Sequence, residues 1–359
     1  MGQTIAVRGL PIAVYRPAQP TQATENDRLR HHSGNRRFGL RDDGRVQVPH
    51  NLREYIAAQA ERVPFAELER ACAAMSAHYR GRERTSSLAL SPLAKTAAYL
   101  ATRLPATYVA AHAVLSELQR RLGNVSIASL LDLGAGPGAA TLAARSLFPA
   151  LAATLVESDP AFTAIARELL PGTTPLTQDL RSATDYLPHD GVVASYALGE
   201  LSAAHRRRVM ERAWQAARLA LVIVEPGSPA GFAVVREIRD HLLANGARMA
   251  APCPHEGPCP IVAPDWCHFA ARLERTSLLR RMKHAALGYE DEKFSYAILT
   301  KTEVPRARAR IVRRPEHRPG LIQLTLCRGD AIRVEGVGRR NPSEFRSARQ
   351  AQWGEEWPG

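Results

Sequence analysis

Four of the five cysteines are spaced so that they could bind a metal together. Cys253, Cys259 and Cys267 lie within fifteen residues of the proline-rich stretch "APCPHEGPCPIVAPDWCHF", and Cys327 follows sixty residues later. Four thiolates can surround one zinc ion or hold an iron–sulfur cluster. The first three cysteines are separated by five and seven residues, which is not the Cys-x-x-Cys spacing of common zinc ribbons. The residues predict a metal site and leave its occupant open.

A second constellation is the glycine-rich turn in "LLDLGAGPG". Gly134, Gly136 and Gly138 follow an apolar run directly and precede a helical one. Residues without Cβ permit such a tight turn and let a ligand approach the backbone. Nicotinamide-binding proteins use a similar loop. Pro137 and the short interval before the third glycine favour S-adenosylmethionine instead.

Three acidic residues accompany this turn. Asp132 stands two residues before the first glycine, where it could meet the amino group of the ligand. Glu157 ends the next apolar run, at the position from which an acid accepts hydrogen bonds from ribose hydroxyls. Asp179 ends the third run and could reach the adenine edge. A turn cap for Asp132 and a helix N-cap for Asp179 are the structural alternatives. The whole pattern resembles the class I S-adenosylmethionine-dependent methyltransferases.

The elements that must position these residues alternate between short apolar runs and helical segments. The runs "SLLDLG", "ATLVES", "TPLTQD", "GVVASYA" and "ALVIVEP" each predict a buried parallel strand. The alternation predicts an α/β doubly wound, Rossmann-like sheet. Two later runs, "KFSYAILTK" and "LIQLTLC", are expected to form an antiparallel edge hairpin that completes seven strands.

The sequence divides into six predicted segments. Leu68, Cys72 and Met75 share one helical face, so Cys72 is expected to be a buried hydrophobic residue, and a second helix is expected to follow Pro105 and stop at Gly123. The segments are a flexible basic extension (1–50), a helical N-terminal region (51–125), the S-adenosylmethionine-binding core (126–246), a Cys-rich metal-binding insertion (247–292), the strand hairpin (293–332) and a disordered tail (333–359).

The charge of the chain indicates a polyanionic partner. Its 359 residues carry a net charge of +13 and a pI near 10.1, which favours a nucleic acid. The residues expected to contact phosphates are in one basic stretch: Arg306, Arg308, Arg310, Arg313 and Arg314. A solvated loop is the alternative interpretation of that stretch.

No run of eighteen apolar residues is present, so no membrane partner is expected. The first forty residues lack the apolar core of a secretory signal. We expect a monomer in the bacterial cytoplasm, with the mitochondrial matrix as the alternative.

Several unusual sequence segments occur in one order along the chain: "AYLATRLPATYVAA", "VIVEPGSPAGF", "APCPHEGPCP", "DWCHF" and "YEDEKFSYAIL". Over roughly residues 50–330 the chain resembles the bacterial relatives of the methyltransferase-like protein of the mitochondrial small ribosomal subunit. The resemblance implies that Cys253, Cys259, Cys267 and Cys327 ligate a four-iron, four-sulfur cluster. It also implies a role in small-subunit assembly and translation, with rRNA as the partner.

The sequence names no catalytic base. The fourth predicted strand ends in "SYALGEL", which is not a known signature for positioning a base amine. The first expectation is therefore a methyltransferase-like ribosomal factor, and the alternative is an active rRNA methyltransferase of the small subunit. A weaker alternative is an iron- or redox-responsive ribosome-binding protein, because oxidation disrupts thiolate ligands.

Overall fold

The computed structural model describes residues 46–79, 90–182 and 185–358. The helices in chain order are His50–Glu61 (α1), Phe65–Tyr79 (α2), Pro92–Leu122 (α3), Ala139–Leu147 (α4), Pro160–Leu169 (α5), Ala203–Ala216 (α6), Pro229–Ala244 (α7), Ser277–Met282 (α8) and Pro342–Gln350 (α9). The strands are Ser129–Leu133 (β1), Ala152–Glu157 (β2), Thr174–Thr177 (β3), His189–Ser195 (β4), Ala217–Pro226 (β5), Arg248–Ala251 (β6), Phe269–Glu274 (β7), Tyr289–Thr300 (β8), Ala309–Ile311 (β9), Glu316–Arg318 (β10), Leu321–Arg328 (β11) and Ala331–Gly338 (β12). None of the described helices is both long enough and apolar enough to cross a membrane.

The larger sheet is doubly wound, as predicted. Its strand order is β3-β2-β1-β4-β5-β8-β6, and β7 pairs with the first half of β8. Strands β1 to β5 are parallel, and β8 runs antiparallel to its neighbours. The order reverses between β1 and β4, so their carboxyl ends flank the crevice where ligands bind in open α/β sheets.

Alternating side chains of the parallel strands build a core on each face of the sheet. Leu130 and Val222 pack in the core that contains α3 and α4, whereas Leu131 and Ile223 pack with α6 and α7. Because both faces of β1, β2, β4 and β5 are covered, these strands are apolar along most of their length, and the sequence predicted them for this reason. The prediction that "TPLTQD" forms a buried strand is wrong, because β3 is the edge strand of the sheet and three of its four residues are exposed.

Helix α3 begins earlier than predicted. It is one helix of 31 residues with Pro105 in its interior, and it ends at Gly123, which has a φ of 60°. An interior proline costs a helix about 3 kcal/mol. Leu100 and Leu104, in the turn before it, are completely buried, and each contributes about 1.5–3 kcal/mol. Burial of that turn offsets the cost of the proline.

The predicted edge hairpin is wrong, and the larger sheet has eight strands instead of seven. "KFSYAILTK" lies in β8, between β5 and β6. "LIQLTLC" lies in β11, which belongs to a second sheet with β9, β10 and β12. Strand β11 pairs instead with the residues directly after it, because Gly329, with a φ of 56°, and Asp330 close a tight turn into β12.

Neither end of the chain follows the predicted boundary. The tail predicted as disordered contains most of β12 and all of α9, and its Trp357 is 3% exposed in the core of the second sheet. Residues 1–45 of the predicted extension lie outside the described part of the chain, whereas Val46 and Val48 already pack in the core. The predicted Cys-rich insertion contributes β6 and β7 to the larger sheet, so it is part of the fold.

Candidate functional site

The four predicted ligand cysteines line one pocket. Cys253 follows β6, Cys259 lies on the loop, Cys267 stands just before β7, and Cys327 is near the end of β11. The pocket is therefore assembled from both sheets and the loop between them. The fifth cysteine, Cys72, is buried as predicted, far from the others in the sequence, with its Sγ 3.5 Å from Sδ of Met282.

Two buried arginines stand beside the thiols. Arg239 of α7 is 4% exposed and donates to the carbonyls of His255 and Gly257. Arg310 of β9 is 2% exposed and donates to the carbonyl of Pro252 at 3.1 Å. These hydrogen bonds fix the backbone of the cysteine loop, and each guanidinium also forms an ion pair, Arg239 with Asp240 and Arg310 with Glu117.

The pocket opposes ionisation of its thiols. Burial raises the pKa of Cys267 well above its ordinary value, and thiolates at the other three cysteines would raise it further. Burial also raises the pKa of Cys327, to about 12. For Cys253 burial again raises the pKa, and it outweighs the opposing effect of Arg239. A cation entering the pocket must therefore displace protons from these thiols.

The lining residues fit a sulfur-ligated group. Nε of Arg239 and Nδ1 of His255 are buried without a hydrogen-bond partner, and sulfur atoms in the pocket could accept from them. Across the described residues, however, no three His, Cys, Asp or Glu side chains form a group that could hold a metal ion. The structure shows a pocket with a suitable donor set and does not show a formed metal centre.

The glycine turn lies at the carboxyl end of β1. Gly134, Gly136 and Gly138 all have positive φ, between 54° and 94°. A Cβ on Gly134 would lie 2.4 Å from Cβ of Ala197 in the segment after β4. A residue with a side chain does not fit at position 134, because the turn after β1 touches the segment after β4 there. This is the point where the strand order reverses.

Two of the three predicted acids meet this turn. Glu157 accepts from the backbone N–H of Gly136 at 2.8 Å and from that of Asp159 at 2.7 Å. Asp132 is 1% exposed and accepts from both the N–H and the hydroxyl of Thr141, at 3.1 and 2.7 Å. Burial raises the pKa of Asp132 to about 6, although the bonds from Thr141 oppose this. Asp132 therefore joins β1 to the first turn of α4.

Asp179 lies two residues beyond β3 instead of at its end. Its carboxylate accepts from the side chain and backbone N–H of Arg181. These hydrogen bonds lower the pKa of Asp179 to about 2. The carboxylate is an acceptor within its own turn, and no bond joins it to the glycine loop.

The predicted phosphate-binding arginines have varied environments. Arg310 is wrong as a surface contact, because it is buried against Glu117 at 2.8 Å. Arg306, Arg313 and Arg314 form ion pairs with Glu256, Asp265 and Asp291 respectively. Arg308 is exposed. The basic stretch therefore balances acids of this chain more than it presents free charge.

Sequence reasoning missed a polar cluster at the carboxyl end of β4. Tyr196 has a φ of 58°, unusual for a bulky residue. Its hydroxyl donates to Glu292 at 2.9 Å, and Arg103 bonds the same carboxylate at 3.2 Å. The neighbouring Glu225 is 1% exposed and accepts from the N–H of Leu198. The sequence offered one signal for this cluster: "SYALGEL" directly follows the strand that lies next to the glycine turn in the sheet.

The strand order, the glycine turn after β1 and the acid at the end of β2 together define a class I methyltransferase fold. A sequence model of the family described as "Mitochondrial small ribosomal subunit Rsm22" matches residues 93–358. The chain belongs to this family. The match includes the four cysteines and the glycine turn.

Curated relatives are similar over most of this chain. It is 28% identical over 296 residues to "Ribosome assembly protein METTL17, mitochondrial" of Homo sapiens, covering 72% of this chain and 62% of that protein. It is 24% identical over 321 residues to "Rsm22-cox11 tandem protein 2, mitochondrial" of Schizosaccharomyces pombe, covering 73% of this chain and 43% of that protein. The chain thus spans less than two thirds of either relative.

Similar solved structures include a putative RNA methyltransferase from Pyrococcus horikoshii, with 16% identity, a TM-score of 0.38, and coverage of 54% of this chain and 85% of that one. The plantazolicin methyltransferase BpumL has 12% identity, a TM-score of 0.41, and coverage of 70% and 100%.

Proposed function

We propose that this protein is a methyltransferase-like factor that acts on the small ribosomal subunit, in its assembly or in translation. The observation that carries the proposal is the family match over residues 93–358. The human relative is named as a ribosome assembly protein, and the net charge of +13 suits an rRNA partner. Deleting the gene should reduce mature small subunits in sucrose gradients, with large subunits unaffected. An unchanged gradient would contradict the proposal.

The proposed occupant of the cysteine pocket is a four-iron, four-sulfur cluster held by Cys253, Cys259, Cys267 and Cys327, with zinc as the alternative. Two observations support it: all four thiols line one pocket, and, although burial raises the pKa of Cys253, the charges of Arg239 and Arg310 act to lower it, which favours the thiolate. Bound there, a cluster would cross-link the cysteine loop to the second sheet.

Iron, zinc and acid-labile sulfide on protein purified without oxygen test the occupant. We expect about four irons and four sulfides per chain, lost in Cys259→Ala and kept in Cys72→Ala, which removes a cysteine outside the pocket. One zinc without sulfide would assign the alternative. The same metal content in both variants would refute the pocket as the site.

The glycine turn is the proposed S-adenosylmethionine site, with Asp132 at the amino group of the ligand, directly or through water, Glu157 at the ribose and Asp179 near the adenine. The contact between Glu157 and the N–H of Gly136 supports it, because it joins the two expected contact points. Calorimetry should detect binding to the wild type and not to Gly136→Asp. Gly172→Asp is the control, since Gly172 also has positive φ and lies in open space. Equal binding by both variants would exclude the turn.

An active rRNA methyltransferase is the second candidate, and the observation favouring it is Tyr196. Backbone held in a sparsely populated conformation is common at active sites, and this residue stands beside the glycine turn. A methyl group missing from small-subunit rRNA in the deletion strain, restored by wild type and not by Gly136→Asp, would establish the activity. Unchanged methylation beside an assembly defect would leave the factor role alone. The named relatives are mitochondrial, so a matrix location is proposed alongside the bacterial cytoplasm.

A further inference from the structure

The segment from β12 to α9 carries an unbalanced positive charge. Its five exposed arginines are Arg333, Arg339, Arg340, Arg346 and Arg349. Within the part of the chain that the structure describes, none of the five has an ion pair or hydrogen-bond partner for its guanidinium. This contrasts with the stretch at 306–314, where most guanidiniums already have acidic partners.

The two acids of the same segment, Glu335 and Glu344, do not pair with these arginines. Glu335 pairs with Arg328 of the adjacent strand through two bonds, at 3.0 and 3.3 Å. The carboxylate of Glu344 accepts from the side-chain amide of Asn341 at 3.0 Å, at the start of α9. The five arginines outnumber the two acids and are not paired with them, so they remain available to an external anion.

The five arginines follow one another along β12, the turn after it and α9. Arg333 is on β12, an edge strand of the second sheet, and Arg339 and Arg340 form the turn after it. Arg346 and Arg349 are three residues apart on α9, so they are neighbours on the helix surface. The buried side of α9 is marked by Ala348, which is completely buried in the core of the second sheet. The helix is thus fixed by its apolar side and exposes its basic one.

We infer that this surface, β12 to α9, is where the protein grips the phosphate backbone of small-subunit rRNA. Guanidinium groups bind phosphate oxygens with two parallel hydrogen bonds, and an extended series of unpaired ones matches a chain of phosphates. The inference rests on the proposed ribosomal function, and it assigns the contact to the second sheet and its helix.

The test compares two pairs of adjacent arginines. Arg339→Ser/Arg340→Ser removes the two guanidiniums in the turn of the proposed surface. Arg207→Ser/Arg208→Ser is the control and removes two adjacent, exposed guanidiniums on α6. The probe is a small-subunit rRNA transcript, titrated from 0.1 to 0.5 M salt. Two lost phosphate contacts should make the slope of log K against log salt shallower by about 1.4–1.8. The ratio of wild-type to variant affinity should therefore be about 10- to 18-fold larger at 0.1 M than at 0.5 M. The α6 variant should match the wild type.

The outcomes separate the inference from the proposed function. If wild type binds the transcript and the turn variant is unchanged, or if the α6 pair alone weakens binding, the surface is wrong and the ribosomal role stands. If the turn variant loses binding to intact small subunits and not to the transcript, the partner there is a ribosomal protein, which overturns the RNA assignment. If wild type binds neither, both proposals fail. Arg346→Ser/Arg349→Ser should repeat the loss, independently of any change in the turn.

Discussion

Replacing Arg310 with methionine should lower the free energy of unfolding by about 4 kcal/mol. This arginine lies where β9, the cysteine loop and the longest helix of the N-terminal region meet. It donates to the carbonyl of Pro252 at 3.1 Å, to that of Gly354 at 2.9 Å and to the carboxylate of Glu117 at 2.8 Å. Methionine fills a similar volume without donating, so the change removes three bonds and leaves little cavity.

The magnitude follows from these bonds. Each bond to a neutral carbonyl contributes about 0.5–1.5 kcal/mol and the one to the carboxylate about 1.5–3, which sums to between about 2.5 and 6. Glu117 keeps bonds from Arg121 at 2.7 and 2.9 Å, so its charge is not stranded. Burial raises the pKa of Glu117, but Arg310, Arg120 and Arg121 outweigh it and lower this pKa to about 2. The carboxylate therefore stays ionised near neutral pH.

Urea unfolding, followed by tryptophan fluorescence and circular dichroism, measures the effect. Arg314→Met is the matched control, because Arg314 also pairs with an acid but its side chain is 69% exposed, and exposed pairs contribute about 0–1 kcal/mol. We expect the urea midpoint to fall clearly in Arg310→Met and to change very little in the control. Equal effects, or a loss below about 1 kcal/mol at Arg310, would refute the reasoning that this arginine joins the two sheets.

Three further predictions concern other parts of the fold. Burial raises the pKa of Glu225 to about 7 from 4.5, so the native carboxyl keeps a proton that the unfolded chain loses. Stability should fall by about 3 kcal/mol as the pH rises from about 4.5 to 7, and Glu225→Gln should remove that component of the pH dependence in urea titrations. Gly134→Ala should cost about 2–5 kcal/mol, because its Cβ would meet Ala197 at 2.4 Å, whereas Gly172→Ala, with open space, should cost about 1–2 by thermal unfolding. Trp357→Ala should lower the free energy of unfolding by about 3–5 kcal/mol, because this side chain is buried in the core of the second sheet. The substitution should also make the C-terminal segment sensitive to limited proteolysis. A protease-resistant variant would mean that the segment folds without this side chain.

The central sheet was predictable because its information is local. The parallel strands β1, β2, β4 and β5 are covered on both faces, so each appears in the sequence as an apolar run, and the glycine turn follows the first of them. The edge strand β3 is exposed. The four cysteines could be grouped by residue type, although their meeting depends on a second sheet that the sequence analysis did not anticipate.

The errors arise where distant residues decide the structure. Arg310 is part of a basic stretch, and only its pairing with Glu117, 193 residues earlier, makes it a buried residue. Pro105 would end an isolated helix, but burial of Leu100 and Leu104 in the preceding turn stabilises α3 enough for it to extend past the proline. Just before the predicted tail, Gly329–Asp330 is a hairpin signal. The strand after it was hard to recognise because Ile332 and Val334 are on the exposed side of β12, whereas Arg333 is on the side of buried Val337.

Co-sedimentation with purified, salt-washed ribosomal subunits tests the central claim most directly. The holoprotein, purified without oxygen, is mixed separately with small and large subunits and pelleted at 0.1 M salt. A factor of the small subunit should saturate at one copy per small subunit and remain in the supernatant with large subunits. Absence from both pellets, or equal binding to both subunits, would contradict the account.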